Sequence, residues 1–247
     1  MLLPAICCIP GLIVGSCARP ATAPLAEIHV AAASDLTRAL AEINSEFEHR
    51  TRVHVTPAYG SAGQLTQQIQ DGARYDVLLS EDTDHVDRLI ASGVCRAESR
   101  AVYGRGHVVL WAPLRPDFRV LADVDGPSVL GVIVADPSVS PYGAAAIEAM
   151  KNLGLWEKLQ TKNIAYAPDA ATARRSVRHA DAAFTALSLI ADRAANYFLI
   201  DDTLHRPLDQ ALCITRQGYG DPARKFAAFL TSDAGYAILR RYGYGRP

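Results

Sequence analysis

Two hydrophobic rhythms alternate along the chain from about residue 27 onward. Leu36, Leu40, Ile43 and Phe47 are spaced by four, three and four, which puts them on one stripe of a 3.6-period helix. The strand Ile28-His29-Val30 precedes them, and the small residues Ala31–Ala33 lead into Ser34. Ser34 suits the N-cap, where its hydroxyl can accept from an orphan backbone N–H of the first turn. Asp35 follows in the first turn, where the macrodipole favours a negative side chain. A strand that feeds small residues into a capped helix leaves N–H groups and a hydroxyl facing outward, which is an anion site in outline.

The scheme continues. Val53–Thr56 predicts a short strand stopped at Pro57, and Tyr59-Gly60-Ser61-Ala62-Gly63 is a small-residue turn before a helix that carries Leu65 and Ile69. Tyr75–Leu79, His107–Trp111 and the apolar run Val129–Ala135 predict strands, the last buried on both faces. Pro141-Tyr142-Gly143 opens a helix marked by Ile147, Met150 and Leu153. Asn163–Tyr166 is a weaker strand, after which Asp169 can cap a helix. Ala182–Leu187 predicts a strand, Leu189–Tyr197 a helix, Phe198–Asp201 an extended segment and Gln210–Thr215 a last strand. Two helices finish the chain, Pro222–Thr231 and Asp233–Tyr242. Strands alternating with helices predict an α/β fold with mostly parallel strands.

The first 16 residues break this rhythm, being uncharged and mostly apolar. They are short for a membrane span and contain Pro4, Pro10 and Gly11, so residues 1–16 are expected to be a signal peptide. Val14-Gly15-Ser16-Cys17 resembles a bacterial lipobox, which makes Cys17 the expected lipidated N-terminus and residues 17–26 a tether. No Lys or Arg precedes the apolar run, which points to an upstream start codon. Of the five cysteines, Cys95 and Cys213 remain beyond the tether; they are far apart in sequence and are expected to be two buried thiols.

With 49% hydrophobic residues and a formal net charge of −1, the 247-residue chain can build a large core or two lobes. It offers no electrostatic case for nucleic acid or an anionic membrane surface. None of the seven histidines stands in H-E-x-x-H, and Gly60-Ser61-Ala62-Gly63 is not a nucleophile elbow. The chain therefore makes no case for an enzyme. Glu81-Asp82 is expected to cap the helix that follows, and Tyr103 and Tyr219 to be packing residues.

Three loops share one logic: Ala33-Ser34-Asp35, Gly60-Ser61-Ala62-Gly63 and Pro141-Tyr142-Gly143 each leave a strand and enter a helix. Pro168-Asp169-Ala170 is a fourth. In α/β sheets such positions, beyond the carboxyl ends of strands, are where ligands bind. If they converge, their N–H groups and dipoles can hold an anion without formal positive charge.

The order AAASDL, YGSAG, YDVLLSED, GHVVLWAP, ADPSVSPYGAAAIEAM, ADAAFTALS and SDAGYAILRRYGY resembles the molybdate-binding proteins of bacterial ABC importers, from Glu27 to Tyr244. The resemblance implies a two-lobed periplasmic binding protein fold of type II with two crossovers, near Gly104–Gly106 and Leu212–Thr215. The lobes would then be 27–104 with 216–247, and 105–215. It implies a tetrahedral dianion, molybdate or tungstate, enclosed between the lobes by hydroxyls and N–H groups, with no protein atom bound to the metal and no cofactor. Carried over by position, it gives Ser34 as hydroxyl and N–H donor, with the N–H of Asp35 beside it. Ala62 stands where the family's ligand serine falls, so a hydroxyl is missing unless Ser61 turns inward. Tyr142 and Ala170 are the remaining N–H donors, and Ala186 stands where some relatives have a ligand tyrosine. The implied partner is an ABC permease, and the implied molecule a lipid-anchored extracytoplasmic monomer. Asp35 decides between ligands: a carboxylate inside the pocket favours a protonated anion such as phosphate, whereas molybdate asks for donors only. Phosphate- or sulfate-type binding and a ligand-free sensor are the alternatives.

Overall fold

Strands and helices alternate through residues 26–190, 196–218 and 220–247, the part that the computed structural model describes. The expected signal peptide, the tether with Cys17, most of the helix expected over 189–197, and Tyr219 lie outside the described residues. The chain runs β1 (Ala26–Ala33), α1 (Thr37–Thr51), β2 (Val53–Gly60), α2 (Ala62–Gln70), β3 (Val77–Ser80), α3 (Thr83–Ala91) and β4 (Ala101–Gly106). It continues through β5 (Val108–Trp111), β6 (Gly131–Ala135), α4 (Pro141–Asn152), α5 (Trp156–Leu159), β7 (Asn163–Ala167), α6 (Ala170–Ser176), β8 (Ala182–Ala186) and β9 (Tyr197–Leu199). Last come β10 (Leu208–Ile214), α7 (Asp221–Leu230) and α8 (Asp233–Arg241).

These elements form two lobes around two five-stranded sheets, ordered β2-β1-β3-β10-β4 and β7-β6-β8-β5-β9. In the first, β1 runs parallel to β2 and β3; in the second, β6 runs parallel to β7 and β8. β10 and β5 pair antiparallel with their neighbours. β2 continues through Pro57 to Gly60, four residues past the expected end at Thr56. Proline is tolerated there because β2 is an edge strand.

The chain crosses to the second lobe between β4 and β5, around His107. It returns earlier than expected: β10 joins the first sheet over Leu208–Ile214, with the Leu208 side chain still packed in the second lobe's core, so residues 209–214 belong to the first lobe. The expected crossing at 212–215 and the second-lobe range of 105–215 are corrected accordingly. An apolar run predicts a strand but carries no record of which sheet it joins.

The first sheet is covered on both faces. On one, the α1 stripe of Leu40, Ile43 and Phe47 meets Phe226, Leu230, Ile238 and Leu239 of α7 and α8. The rings of Phe47 and Phe226 meet edge to face at 5.2 Å. On the other face lie Leu65, Ile69, Val86 and Leu89 of α2 and α3. Cys95 and Cys213 are joined here as a disulfide, their Cα atoms 6.1 Å apart, and are not the two free thiols expected. Pairing of β10 beside β3 brings Cys213 to the segment after α3, a juxtaposition of residues 118 apart that spacing alone does not reveal. The second lobe has one continuous core, with Val109, Leu110, Ile133, Ala146, Met150 and Phe184 near its centre.

Among the described residues no helix is long and apolar enough to cross a membrane.

Candidate functional site

The parallel strands β1, β2 and β3 of the first lobe end opposite β6, β7 and β8 of the second. Ala33 pairs with Gly60, so the segments that open at Ser34 and Ser61 leave the sheet side by side. All six residues expected to hold an anion are buried: Ser34, Asp35, Ser61, Ala62, Tyr142 and Ala170.

Ser34 is not a helix cap. Ser34–Leu36 form a 3-10 turn whose cap position is Ala33, and α1 begins only at Thr37. The turn frees the Ser34 hydroxyl to reach across the lobes, where its Oγ accepts from the N–H of Ala171 at 3.3 Å. The N–H that meets Ser34 thus comes from the second residue of α6, one position after Ala170. Ala170 opens α6 behind its cap Asp169, and its own carbonyl accepts from Thr185 Oγ1 at 2.7 Å. Ser188 strengthens the same junction by donating its hydroxyl to the Asp35 carbonyl at 2.9 Å.

Ser61 is the N-cap of α2. Its Oγ accepts from the Gln64 N–H at 3.3 Å, with Gln64 reaching back to the Ser61 N–H, which is a capping box on α2. Ala62 is the first residue of α2, so its N–H has no intrahelical acceptor. Beside it, the Gly63 N–H donates to the Val139 carbonyl of the other lobe at 2.9 Å. A Cβ on Gly63 would lie 2.9 Å from both the Cα and the carbonyl oxygen of Val139, so this approach requires glycine. Tyr142 is the second residue of α4, after Pro141, and its N–H is likewise an orphan of the helix start. Three helix N-termini and one 3-10 turn therefore open toward the same seam.

Asp35 is completely buried within this seam, in the turn that opens at Ser34. Its Oδ2 accepts from the phenols of Tyr142 at 3.0 Å and Tyr244 at 2.8 Å. Burial pushes its pKa up to about 6, opposed by the hydrogen bonds from Tyr244 and Tyr142. The expected capping pair divides: Asp82 caps α3 by accepting from the His85 N–H at 3.1 Å, whereas Glu81 is buried and caps nothing. Glu81 Oε2 accepts from the Ser140 hydroxyl across the seam at 3.1 Å. Burial, followed by the charge of Asp35, raises the Glu81 pKa well above the carboxylate range. Tyr103 is a polar link as well as packing, donating to the Ser80 carbonyl and to Gln210 Oε1, each at 3.1 Å. Gln210 Nε2 in turn donates to the Tyr142 hydroxyl at 3.4 Å. Burial holds Tyr103, Tyr142 and Tyr244 as neutral phenols.

Glu81, Ser140, Ala171, Ser188, Gln210 and Tyr244 are the residues of this seam that the sequence reading missed. Gln210, a lone amide opening the apolar run QALCI, was the one visible signal. A groove of about 400 Å3 also runs along the lobe boundary, lined by Asp82, His85, Pro137, Glu148 and Arg206 among others. None of the six expected residues lines it, and its mixed charge gives no reason to move the anion site there. Among the described residues, no group of three or more His, Cys, Asp or Glu is arranged to hold a metal ion.

Residues 28–245 match the family of bacterial extracellular solute-binding proteins. Over 236 residues the chain is 33% identical to the molybdate-binding protein ModA of Rhodobacter capsulatus, covering 92% of this chain and 90% of that one. It is 30% identical over 236 residues to the molybdate-binding protein ModA of Azotobacter vinelandii, covering 90% of this chain and 91% of that one. Its structure superposes on the solved periplasmic molybdate-binding protein of Azotobacter vinelandii with a TM-score of 0.85. That alignment covers 89% of this chain and 99% of the other at 26% identity.

Proposed function

The chain belongs to the family of bacterial extracellular solute-binding proteins, and on that premise we propose that it captures molybdate, or the near-isosteric tungstate, between its lobes for an ABC permease. Capture and delivery are its work; no step of chemical turnover is assigned to it. The observation that carries the reading is the meeting of the Ser34 turn with the N-termini of α2, α4 and α6 at one buried seam, with Ser34 Oγ 3.3 Å from the Ala171 nitrogen. Molybdate at neutral pH is a dianion, and a buried dianion is tolerable only when donors surround it. Oriented N–H groups and dipoles supply those donors without Lys or Arg.

In this reading Ser34 gives its hydroxyl, and Ser34, Asp35, Ala62, Tyr142 and Ala170 or Ala171 give N–H groups. Ser61 fixes the start of α2 as its cap and keeps its own hydroxyl proton available to the anion. Cys17 is the proposed lipid anchor on the extracytoplasmic side; Cys17→Ala should release the protein into the soluble fraction, and continued membrane retention would refute the anchor.

One observation favours a second reading. Asp35 and Glu81 put two carboxyl groups in the seam. If both accept hydrogen bonds from the ligand, a protonated oxyanion such as hydrogen phosphate fits better. Calorimetry against molybdate, tungstate, sulfate and phosphate separates the two. Submicromolar molybdate and tungstate binding with weak phosphate binding is expected, and the reverse preference would overturn the assignment.

A further inference from the structure

Asp35 and Glu81 leave the first sheet at the ends of β1 and β3, and both are wholly buried. Each uses one carboxyl oxygen: Asp35 Oδ2 takes two phenols, and Glu81 Oε2 takes the Ser140 hydroxyl. The other oxygen of each, Asp35 Oδ1 and Glu81 Oε1, is buried without a hydrogen-bond partner among the described residues. Ser140 occupies the cap position of α4 and makes no cap hydrogen bond; its hydroxyl donates to Glu81.

Among the described residues, the hydrogen-bond partners of the two acids are hydroxyls and phenols, not cations. Asp35 faces Tyr142 from α4, Tyr244 from the C-terminal segment and Tyr103 from β4, with the N–H groups of Asp35 and Leu36 against its carboxyl. Glu81 faces Ser140 and feels the negative charges of Asp35, Asp82 and Asp169. Asp82 is itself paired with His85, at 2.9 Å. Arg38 of α1 donates to the Ser188 carbonyl at 3.4 Å and lies over the Tyr242 ring. Two neighbouring buried carboxylates cannot both stay ionised under these conditions, and a bound dianion beside them would deepen the conflict.

Protonation resolves it. A neutral carboxyl is a donor as well as an acceptor, so the oxygen left over on each acid becomes an O–H that can face an anion. We propose that Asp35 and Glu81 are an acid pair of the anion site, which takes up a proton from solvent when the lobes close on the ligand and then presents it as a hydrogen-bond donor. The pair titrates as a unit, so the proton is assigned to both groups together. The inference rests on the oxyanion reading above and deepens it: a site with carboxyl groups can still hold a fully deprotonated dianion, at the cost of making its affinity depend on pH.

Calorimetric titration of the intact protein with sodium molybdate, in buffers of different ionisation enthalpy, measures the protons exchanged on binding. Uptake approaching about one proton per anion is expected near neutral pH, with affinity falling up to about tenfold per pH unit above the titration of the pair. Glu81→Gln and Asp35→Asn should each reduce the uptake, and the double variant should bind molybdate with no uptake and a flat pH profile. Molybdate binding by the wild type without proton uptake would overturn the inference alone, whatever the variants do. Wild-type uptake retained in a folded double variant would overturn it as well. No molybdate binding at all would sink the functional reading and this inference with it. Phosphate binding without uptake would then identify the two acids as acceptors.

Discussion

Tyr142 donates its phenolic proton to Asp35 at 3.0 Å, and the bond joins the two lobes. Tyr142 stands in the first turn of α4 in the second lobe, and Asp35 stands at the end of β1 in the first. One residue therefore brings two groups to the seam, an orphan helix N–H and a phenol. The phenol also takes the Gln210 amide at 3.4 Å, which connects closure to the strand β10 that returns from the second lobe.

Tyr142→Phe keeps the N–H and removes the phenol. A hydrogen bond to an ionisable group contributes roughly 1.5–3 kcal/mol, so anion affinity should fall by about 10- to 100-fold with the closed form weakened. Calorimetry checks the affinity and small-angle scattering the closure. Wild-type affinity in the variant would mean that the Tyr142–Asp35 bond is incidental to binding.

Gly63→Ala tests closure without disturbing either lobe. Alanine is favoured over glycine inside a helix by about 1 kcal/mol, so α2 should be unharmed and thermal stability unchanged or slightly raised. The added Cβ would sit 2.9 Å from Val139 Cα and O in the other lobe, which blocks the approach that the Gly63 N–H bond to Val139 requires. Binding should weaken by at least about tenfold while the melting temperature holds. A variant that binds normally would show that the lobes close along another path.

Local features were the legible ones. The α1 stripe, the apolar β6 and the small-residue loops each follow from a period or a turn chemistry, and the buried faces agree with them. Pairing across the fold was not legible. β4, Ala101–Gly106, carries two glycines and an arginine and has no apolar run, so it was missed as a strand. Asp35 and Glu81 occupy positions beside helix starts, where a carboxylate ordinarily caps or complements a dipole. Only the second lobe, arriving with Tyr142 and Ser140, turns them into buried partners. Ser34 shows the same limit: its type and position suggested a cap, whereas the 3-10 turn makes it a cross-lobe acceptor.

Asp35 also sets a pH dependence of stability. Its folded pKa of about 6 lies above the ordinary value of 3.8, so the folded state binds the proton more tightly than the unfolded state. Stability from this group is complete below about pH 4 and is lost as the pH rises through about 6. Glu81 shifts in the same direction. Asp35→Asn keeps an acceptor for the two phenols and cannot ionise, so the variant should gain stability relative to wild type between about pH 4 and pH 7. Urea unfolding of both proteins across that range provides the comparison, and parallel curves would reject the shift.

Ser34 and Ala62 together test how many hydroxyls the site needs. Ser34 Oγ accepts from the Ala171 N–H, which leaves its own proton free to point at an anion. Ser34→Ala removes both the cross-lobe link and the donor. With roughly 1.5–3 kcal/mol at stake for a hydrogen bond to a charged group, molybdate affinity should drop about 10- to 100-fold. Ala62 opens α2 beside Ser34, and the neighbouring Ser61 Oγ accepts from the Gln64 N–H in its capping box, a bond that uses a lone pair and not its own proton. Ala62→Ser adds a hydroxyl at the helix start, where the backbone N–H already faces the seam. Affinity should hold or improve, and Ala62→Ser should recover part of the loss in a Ser34→Ala background. The double variant is the informative measurement. Recovery would mean that hydroxyl donors are interchangeable around one anion; no recovery, with Ala62→Ser itself neutral, would mean that Ser34 acts mainly by joining the lobes through Ala171. Tighter binding in the Ser34→Ala variant alone would overturn the placement of the anion at this seam.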